Sequence, residues 1–188
     1  GDTVFDTLGP ILEDQQLGKV GHDLKQHMLW LAEHEIRLRG LELDTMIASY
    51  LLNPEATQAT PTLETVALEH VGYQALTADT VRGKGAKAPD FDCLPPDAVL
   101  AYACERADLP LQAAEPLQTR LEQEHLTQLY RTLEHPLIPI LVDIERVGIQ
   151  VATDALADQS RRMDAELSEL QSQIYTLAGE AFNINSPR

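Results

Sequence analysis

The apolar positions of this chain fall into helical stripes far more often than into strand alternation. Phe5, Leu8, Ile11 and Leu12 share one face of a helix predicted over residues 3–13. The run LGKVG at 17–21 is short, apolar and closed by a glycine, which predicts a buried strand. In HDLKQHMLWLAEHE, residues 22–35, Leu24, Met28 and Leu31 make one helical stripe, with His27 and Trp30 beside it. IRLRGLEL, residues 36–43, alternates apolar with polar and predicts a second strand. Asp44 or Thr45 then opens a helix reaching about Leu52, where NPE stops it. Residues 60–72 carry a complete helix signal. Thr62 can cap it, Leu63, Val66, Ala67 and Val71 line one side, and Gly72 ends it.

Residues 77–92, TADTVRGKGAKAPDFD, hold two glycines and the compact cation cluster Arg82, Lys84 and Lys87, and predict a loop. Residues 95–148 read as almost wholly helical, punctuated by Pro110, Pro116, Pro136 and Pro139. GIQVA at 148–152 predicts a short strand. Residues 153–182 predict a long amphipathic helix capped by Thr153, with Leu156, Met163, Leu167, Leu170, Ile174 and Leu177 as its stripe. Polar NINSPR follows. Strands that come first and long helices that come last predict an incomplete α/β layer joined to a helical segment.

Composition narrows the functional classes. The 188 residues suffice for one domain or one and a half, and 44% hydrophobic content suffices for a core. The net charge of −16 disfavours tight binding to a nucleic-acid backbone by this chain alone, since phosphate contacts need Lys and Arg; a local basic patch stays open. Cys93 and Cys104 form no CxxC and are too few for a disulfide framework, so a reducing, cytosolic setting is expected. No apolar run approaches the roughly 18 residues of a membrane helix. The chain starts at Gly1 with no initiator Met, which predicts a processed or excised piece.

YACERAD, residues 102–108, poses the chemical question. Tyr102 and Arg106 lie four apart on a helix and face the same way. A Tyr and an acid at that spacing could present a hydroxyl and a metal-binding carboxylate to one phosphate. Two-metal hydrolysis needs several carboxylates, to hold cations about 4 Å apart. Arg106 cannot ligate a metal, and as a surface residue it would pair with Glu105, Glu122 or another nearby acid. In GHDLKQH, Asp23 and His27 face together, but His22 and His27 diverge, so a structural zinc site lacks ligands. Asp44 is placed to cap the following helix. RGKGAKAP lacks the spacing of a phosphate-binding P-loop. Residue chemistry alone ends at a soluble α/β-plus-helical piece with no assembled active site.

These stretches taken together resemble the family A DNA polymerases, the bacterial DNA polymerase I group. LEDQQLGKVGHDLKQH resembles the region of the second exonuclease motif, and RGLELDTMIASYLLNP the strand and helix after it. VRGKGAK sits at a similar glycine-rich loop, and YACERAD is similar to the third exonuclease motif. HPLIPILVDIERVGIQV resembles the linker into the polymerase region, and AGEAFNINSPR the base of the thumb. The resemblance implies a ribonuclease H-like 3′→5′ exonuclease domain, truncated and mostly helical, over residues 1–134. A linker and the beginning of the thumb would follow over residues 135–188.

The proofreading exonuclease of this family uses acids and a tyrosine. Here the first motif is absent, the second-motif acid falls on His27, the third falls on Arg106, and Tyr102 is retained. The resemblance therefore implies a chain with no catalytic residues, metal or cofactor of its own. It would be a scaffold within a DNA-directed DNA polymerase of replication and repair, whose intact form uses Mg²⁺. In that reading Arg106 neutralises leftover acids such as Glu105 or Asp108. Carried over from the thumb motif, Asn183, Asn185 and Ser186 would contact the backbone of primer–template DNA, with Arg188 supplying charge where Pro187 replaces a basic residue. The acidic chain alone would bind DNA weakly or not at all, would meet no membrane, and would work in the cytoplasm at the nucleoid. Two alternatives stay open: an active exonuclease with ligands rearranged among Asp23, His27, Asp44 and Asp108, a His–Asp set that could favour manganese over magnesium, and a protein-interaction module with an acidic face.

Overall fold

A computed structural model gives residues 2–54, 60–85 and 87–184. They form two compact units, residues 1–147 and 148–188. In the first unit, α1 (Asp2–Glu13) leads to β1 (Lys19–Gly21), α2 (Leu24–Glu33), β2 (Leu41–Asp44) and α3 (Thr45–Leu52). Then come α4 (Leu63–His70), α5 (Ala78–Arg82), a 3₁₀ turn (Phe91–Cys93), α6 (Pro96–Gln123), the single turn α7 (Thr127–Leu129), a π-helical turn (Tyr130–Glu134) and α8 (His135–Val147). The second unit holds α9 (Thr153–Ala178).

β1 and β2 pair in parallel, with Val20 opposite Leu43 and Gly21 opposite Asp44. The helix between them, α2, makes this a βαβ unit. The second strand begins later than the alternation over 36–43 predicts. Ile36 and Leu38 are buried as that pattern demands, but the backbone there is claimed by α1: Arg39 N–H donates to Leu12 O (3.0 Å) and Arg37 N–H to a Glu13 carboxylate oxygen (2.9 Å). Gly40, at φ 68°, then turns the chain into β2; a Cβ there would sit 2.4 Å from the Leu17 carbonyl oxygen, so only glycine fits.

α6 crosses the unit as 28 residues with Pro110 and Pro116 inside it. Each proline removes one helical hydrogen bond. The helix persists because Leu109, Ala113, Leu117 and Leu121, spaced by four, are buried along one side, with Pro110 and Ala114 in the adjacent row. This side packs on α3, α4 and β1. With Leu43, Ala48, Val66 and Tyr130 it makes the main core. A second cluster, Leu24, Leu31, Ile36 and Leu38, sits under α1 with Phe5 and Leu12.

Other predicted elements shift for physical reasons. The helix beginning at His22 starts at Leu24 instead, because Asp23 adopts φ 56° as its N-cap. The predicted loop at 77–92 contains α5, capped by the Thr77 hydroxyl on the Thr80 N–H (3.2 Å), and the 3₁₀ turn. GIQVA is not a strand: it has no ladder partner among the described residues. Thr153 is the first residue of α9 and not its cap; Ala152 holds that position without a side-chain bond. α9 stops at Ala178 because Gly179 takes the left-handed conformation, φ 76°. Among the described residues no helix is long and apolar enough to cross a membrane.

Candidate functional site

β2 delivers Asp44, 0% exposed, to the start of α3. Its carboxylate accepts the N–H groups of Met46 (2.9 Å) and Ile47 (3.4 Å), which caps α3 as expected. It also accepts Leu24 N–H at 2.7 Å and Asp23 N–H at 3.2 Å, at the start of α2. One carboxylate thus serves the unpaired donors of two helices. The Asp44 N–H donates to the Tyr130 hydroxyl at 2.7 Å. Burial pushes the Asp44 carboxyl pKa up, against the pull of the Leu24 and Met46 N–H groups. Burial also raises the Tyr130 phenol.

His22 lies beside this hub, its Nδ1 3.0 Å from the Thr45 hydroxyl, which donates to Gly21 O. Burial lowers the His22 pKa; Asp44 and Asp23 oppose that and Arg106 adds to it. His70 is lowered too, by burial and then by Arg120. A histidine whose folded pKa is depressed favours the folded state fully above the unfolded value of 6.5, and that contribution is lost as pH falls through the folded value. Urea midpoints should therefore fall as pH drops below 6.5, and His22→Gln should flatten part of the fall. Asp44 acts in the opposite sense at lower pH: its raised pKa favours the folded state on protonation, a gain complete below 3.8.

On α6, Arg106 does not use Glu105, Glu122 or Asp108 as its carboxylate partner. Its Nη2 bonds Glu64 of α4 (2.8 Å) and donates to the Leu76 carbonyl (2.8 Å). Its guanidinium carbon stands 4.5 Å from the centre of the Tyr102 ring, a cation–π contact between the two positions of the motif. The neighbouring Glu105 accepts the Leu76 N–H (2.7 Å) and the Tyr73 hydroxyl (2.8 Å). Consecutive residues of α6 therefore grip both backbone polar groups of Leu76. Burial raises the Glu64 pKa, but its backbone hydrogen bond and Arg106 outweigh this and leave it lowered.

The remaining motif positions scatter. His27 lines a largely apolar groove of about 490 Å³ with Trp30, Leu24, Leu31 and Val20. Asp108 is taken by Gln112. Among the described residues no three His, Cys, Asp or Glu side chains converge on a metal position. The donor chemistry does not fit a magnesium pair either. The third-motif position is a guanidinium, and the Asp44 carboxylate is already filled by four N–H donors. Nor do His22 and His27 share a site: one faces Thr45, the other the groove. Glu64 and Tyr130 were invisible to sequence reasoning, being 42 and 86 residues from the atoms they bond.

In the second unit, residues after α9 fold back on it. The Tyr175 hydroxyl donates to the Phe182 carbonyl (2.9 Å), and the two rings meet edge-on at 5.7 Å. Asn183 follows and is exposed. Asn185 and Ser186, with Pro187 and Arg188, lie outside the described residues.

The parallel βαβ unit, with its motif positions on α2 and α6, is the framework of a ribonuclease H-like exonuclease domain. The family model for the ribonuclease H-like domain of DNA polymerase I matches residues 4–106. Across its whole length the chain is 36% identical to DNA polymerase I of Pseudomonas aeruginosa, covering 21% of that protein. It is 33% identical to DNA polymerase I of Bacillus subtilis over 94% of the chain and 20% of that protein. A solved structure, the POL domain of Pol1 from M. smegmatis in complex with DNA primer-template and dNTP, superposes on all of the chain and 29% of its own length, with a TM-score of 0.76 at 23% identity. The chain belongs to the DNA polymerase I family, and it spans about a fifth of the length of these curated relatives.

Proposed function

We propose that this chain is the exonuclease-like and thumb-base portion of a DNA-directed DNA polymerase, and that its exonuclease-like part is a scaffold without nuclease chemistry. The observation that carries the reading is Arg106. At the position where the third motif places an acid, a cation is bound to Glu64 and Leu76 and covers Tyr102. Two-metal hydrolysis stabilises the attacking and leaving oxygens through carboxylate-held cations, and a guanidinium supplies neither ligand nor base. Asp44, the best-placed acid of a rearranged site, is committed to backbone N–H groups.

We place the functional boundary at 134/135 on the resemblance of residues 135–151 to the linker; in the structure the backbone stays helical through this point and α8 packs on α2 within the first unit. From there the linker leads to α9 and to Asn183, Asn185 and Ser186, whose amides and hydroxyl suit phosphate or sugar contacts without sequence readout. The polymerase, acting at the nucleoid in replication and repair, would supply the Mg²⁺ chemistry from its own palm. The relatives' name and the primer-template of the structural neighbour support DNA as the partner of the intact protein.

The test is degradation of a 3′-labelled single strand with Mg²⁺ or Mn²⁺ against an EDTA control. No metal-dependent shortening is expected. Shortening that survives repurification and disappears in Asp23→Ala would sink the scaffold reading in favour of rearranged ligands.

A further inference from the structure

One hollow gathers cations in a chain whose net charge is −16. It encloses about 280 Å³ where α2, the stretch 36–39 and α8 meet, and its walls include Arg37, Arg39 and Arg146. Along 36–39 apolar and basic residues alternate: Ile36 and Leu38 are buried, Arg37 and Arg39 exposed. On α8, Pro139, Val142, Asp143 and Arg146 recur at helical spacing and share one face. Met28, Ile36, Leu38 and Val142 give the hollow an apolar lining, and Asp143 is its one acid among the described residues.

Three cations against one acid leave the hollow positive. Among the described residues none of the three guanidinium groups has a carboxylate or hydrogen-bond partner. Two nearby acids are engaged elsewhere: Glu145 pairs with Lys25 of α2, and Glu13 accepts the Arg37 backbone N–H at 2.9 Å. By contrast Arg82, Arg106 and Arg161 each hold a carboxylate. None of the hollow's residues is a position of the exonuclease motifs, so the scaffold reading leaves these arginines without a role.

We propose that this hollow is a binding site for a compact polyphosphate group, gripped by Arg37, Arg39 and Arg146. The guanidinium fork matches two phosphate oxygens at once. A single negative charge would leave two of the cations unanswered, so the ligand carries at least two. Three cations at one hollow suit a compact anion. Duplex DNA carries a charge about every 1.7 Å along its axis and needs a stripe of cations, whereas Glu13, Asp143 and Glu145 interrupt this surface. Inorganic polyphosphate and the tail of a nucleoside polyphosphate offer the same chemistry, the second with an organic part for the apolar lining.

Isothermal titration calorimetry of the 188-residue chain, without divalent metal, tests the site with inorganic tripolyphosphate and adenosine triphosphate. Saturable binding that weakens as salt rises is expected. Arg37→Gln, Arg39→Gln and Arg146→Gln should each weaken it about three- to tenfold, the loss for one charge-assisted bond at an exposed site. Asp143→Asn should tighten it about two- to threefold by removing repulsion, a gain that no loss of folding can imitate. Arg161→Gln, on α9, should leave it unchanged. Adenosine triphosphate binding no tighter than tripolyphosphate assigns the site to phosphate alone; tighter binding assigns the organic part to the apolar lining. No saturable binding of either probe, or binding that the three glutamine variants leave intact, would overturn the site. So would tighter binding of hexaglutamate or a thymidylate decamer through the same arginines, which would make the hollow a seat for an acidic segment or a nucleic-acid strand. Metal-dependent shortening of DNA would overturn the scaffold reading and leave this site standing.

Discussion

Asp44→Ala should cost more stability than any other single polar change in the chain, about 3–5 kcal/mol, the range for breaking a buried charged network. The carboxylate is fully buried and holds four N–H donors, from Asp23, Leu24, Met46 and Ile47. Truncation leaves those donors at the starts of α2 and α3 without their acceptor, the Leu24 N–H in a buried place and the other three in partly buried ones. Each such buried orphan costs about 1–3 kcal/mol, and they do not add fully because the helix starts can relax. For a unit of this size the loss corresponds to a drop of about 10 °C in midpoint. Asp44→Asn separates shape from charge. It keeps one acceptor but turns an amide toward donors that need oxygen, so it should fall between the natural residue and alanine. Thermal unfolding followed by circular dichroism measures both. An alanine variant within about 1 kcal/mol of the natural chain, a shift typical of ordinary point substitutions, would show that the network is not what holds α2 and α3 together.

The second large effect is Arg106→Asp, the change that puts an acid back at the third motif. On motif grounds it should move the chain toward a nuclease. On structural grounds it should damage the fold by about 2–4 kcal/mol and confer no metal-dependent cleavage. It sets a carboxylate in the neighbourhood of Glu64, now unpaired, and it frees the Leu76 carbonyl and uncovers the Tyr102 ring. Combining it with Glu64→Arg should recover part of the loss, because the sign of the pair is restored while the grip on Leu76 is not. Urea denaturation of the two single variants and the double variant gives the coupling. Full additivity would mean that Arg106 and Glu64 are neighbours without energetic consequence. Divalent-metal stabilisation or DNA shortening by Arg106→Asp would mean that a metal site survives around this position.

What the sequence made legible was local. Thr62 and Asp44 cap the helices they precede, and the apolar stripes of α2 and α4 are the buried ones. These signals lie within a turn or two of the residue that carries them. The second strand was misplaced because alternation reports burial, and Ile36 and Leu38 are buried against α1 without being in a ladder. Prolines 110 and 116 suggested breaks that the buried side of α6 overrides. The site was harder to read. The resemblance put His27 and Arg106 where acids were expected, yet the partner of Arg106 lies in another helix, while the acids the sequence suggested, Glu105, Glu122 and Asp108, lie far closer to it along the chain. Choosing Glu64 needed the packing of α4 on α6.

The double grip on Leu76 bears on how such a domain changes over generations. An arginine without partners could be exchanged for an acid by one substitution at little cost. This one is woven in. Glu64, the Leu76 backbone and the Tyr102 ring are each arranged around a guanidinium, with Glu105 holding the other half of the same peptide segment. A return to an acid must pass through a less stable intermediate unless Glu64 changes with it. Arg106 therefore works as a ratchet within the fold: with its neighbours fitted to the cation, any exchange for an acid is opposed by folding stability alone.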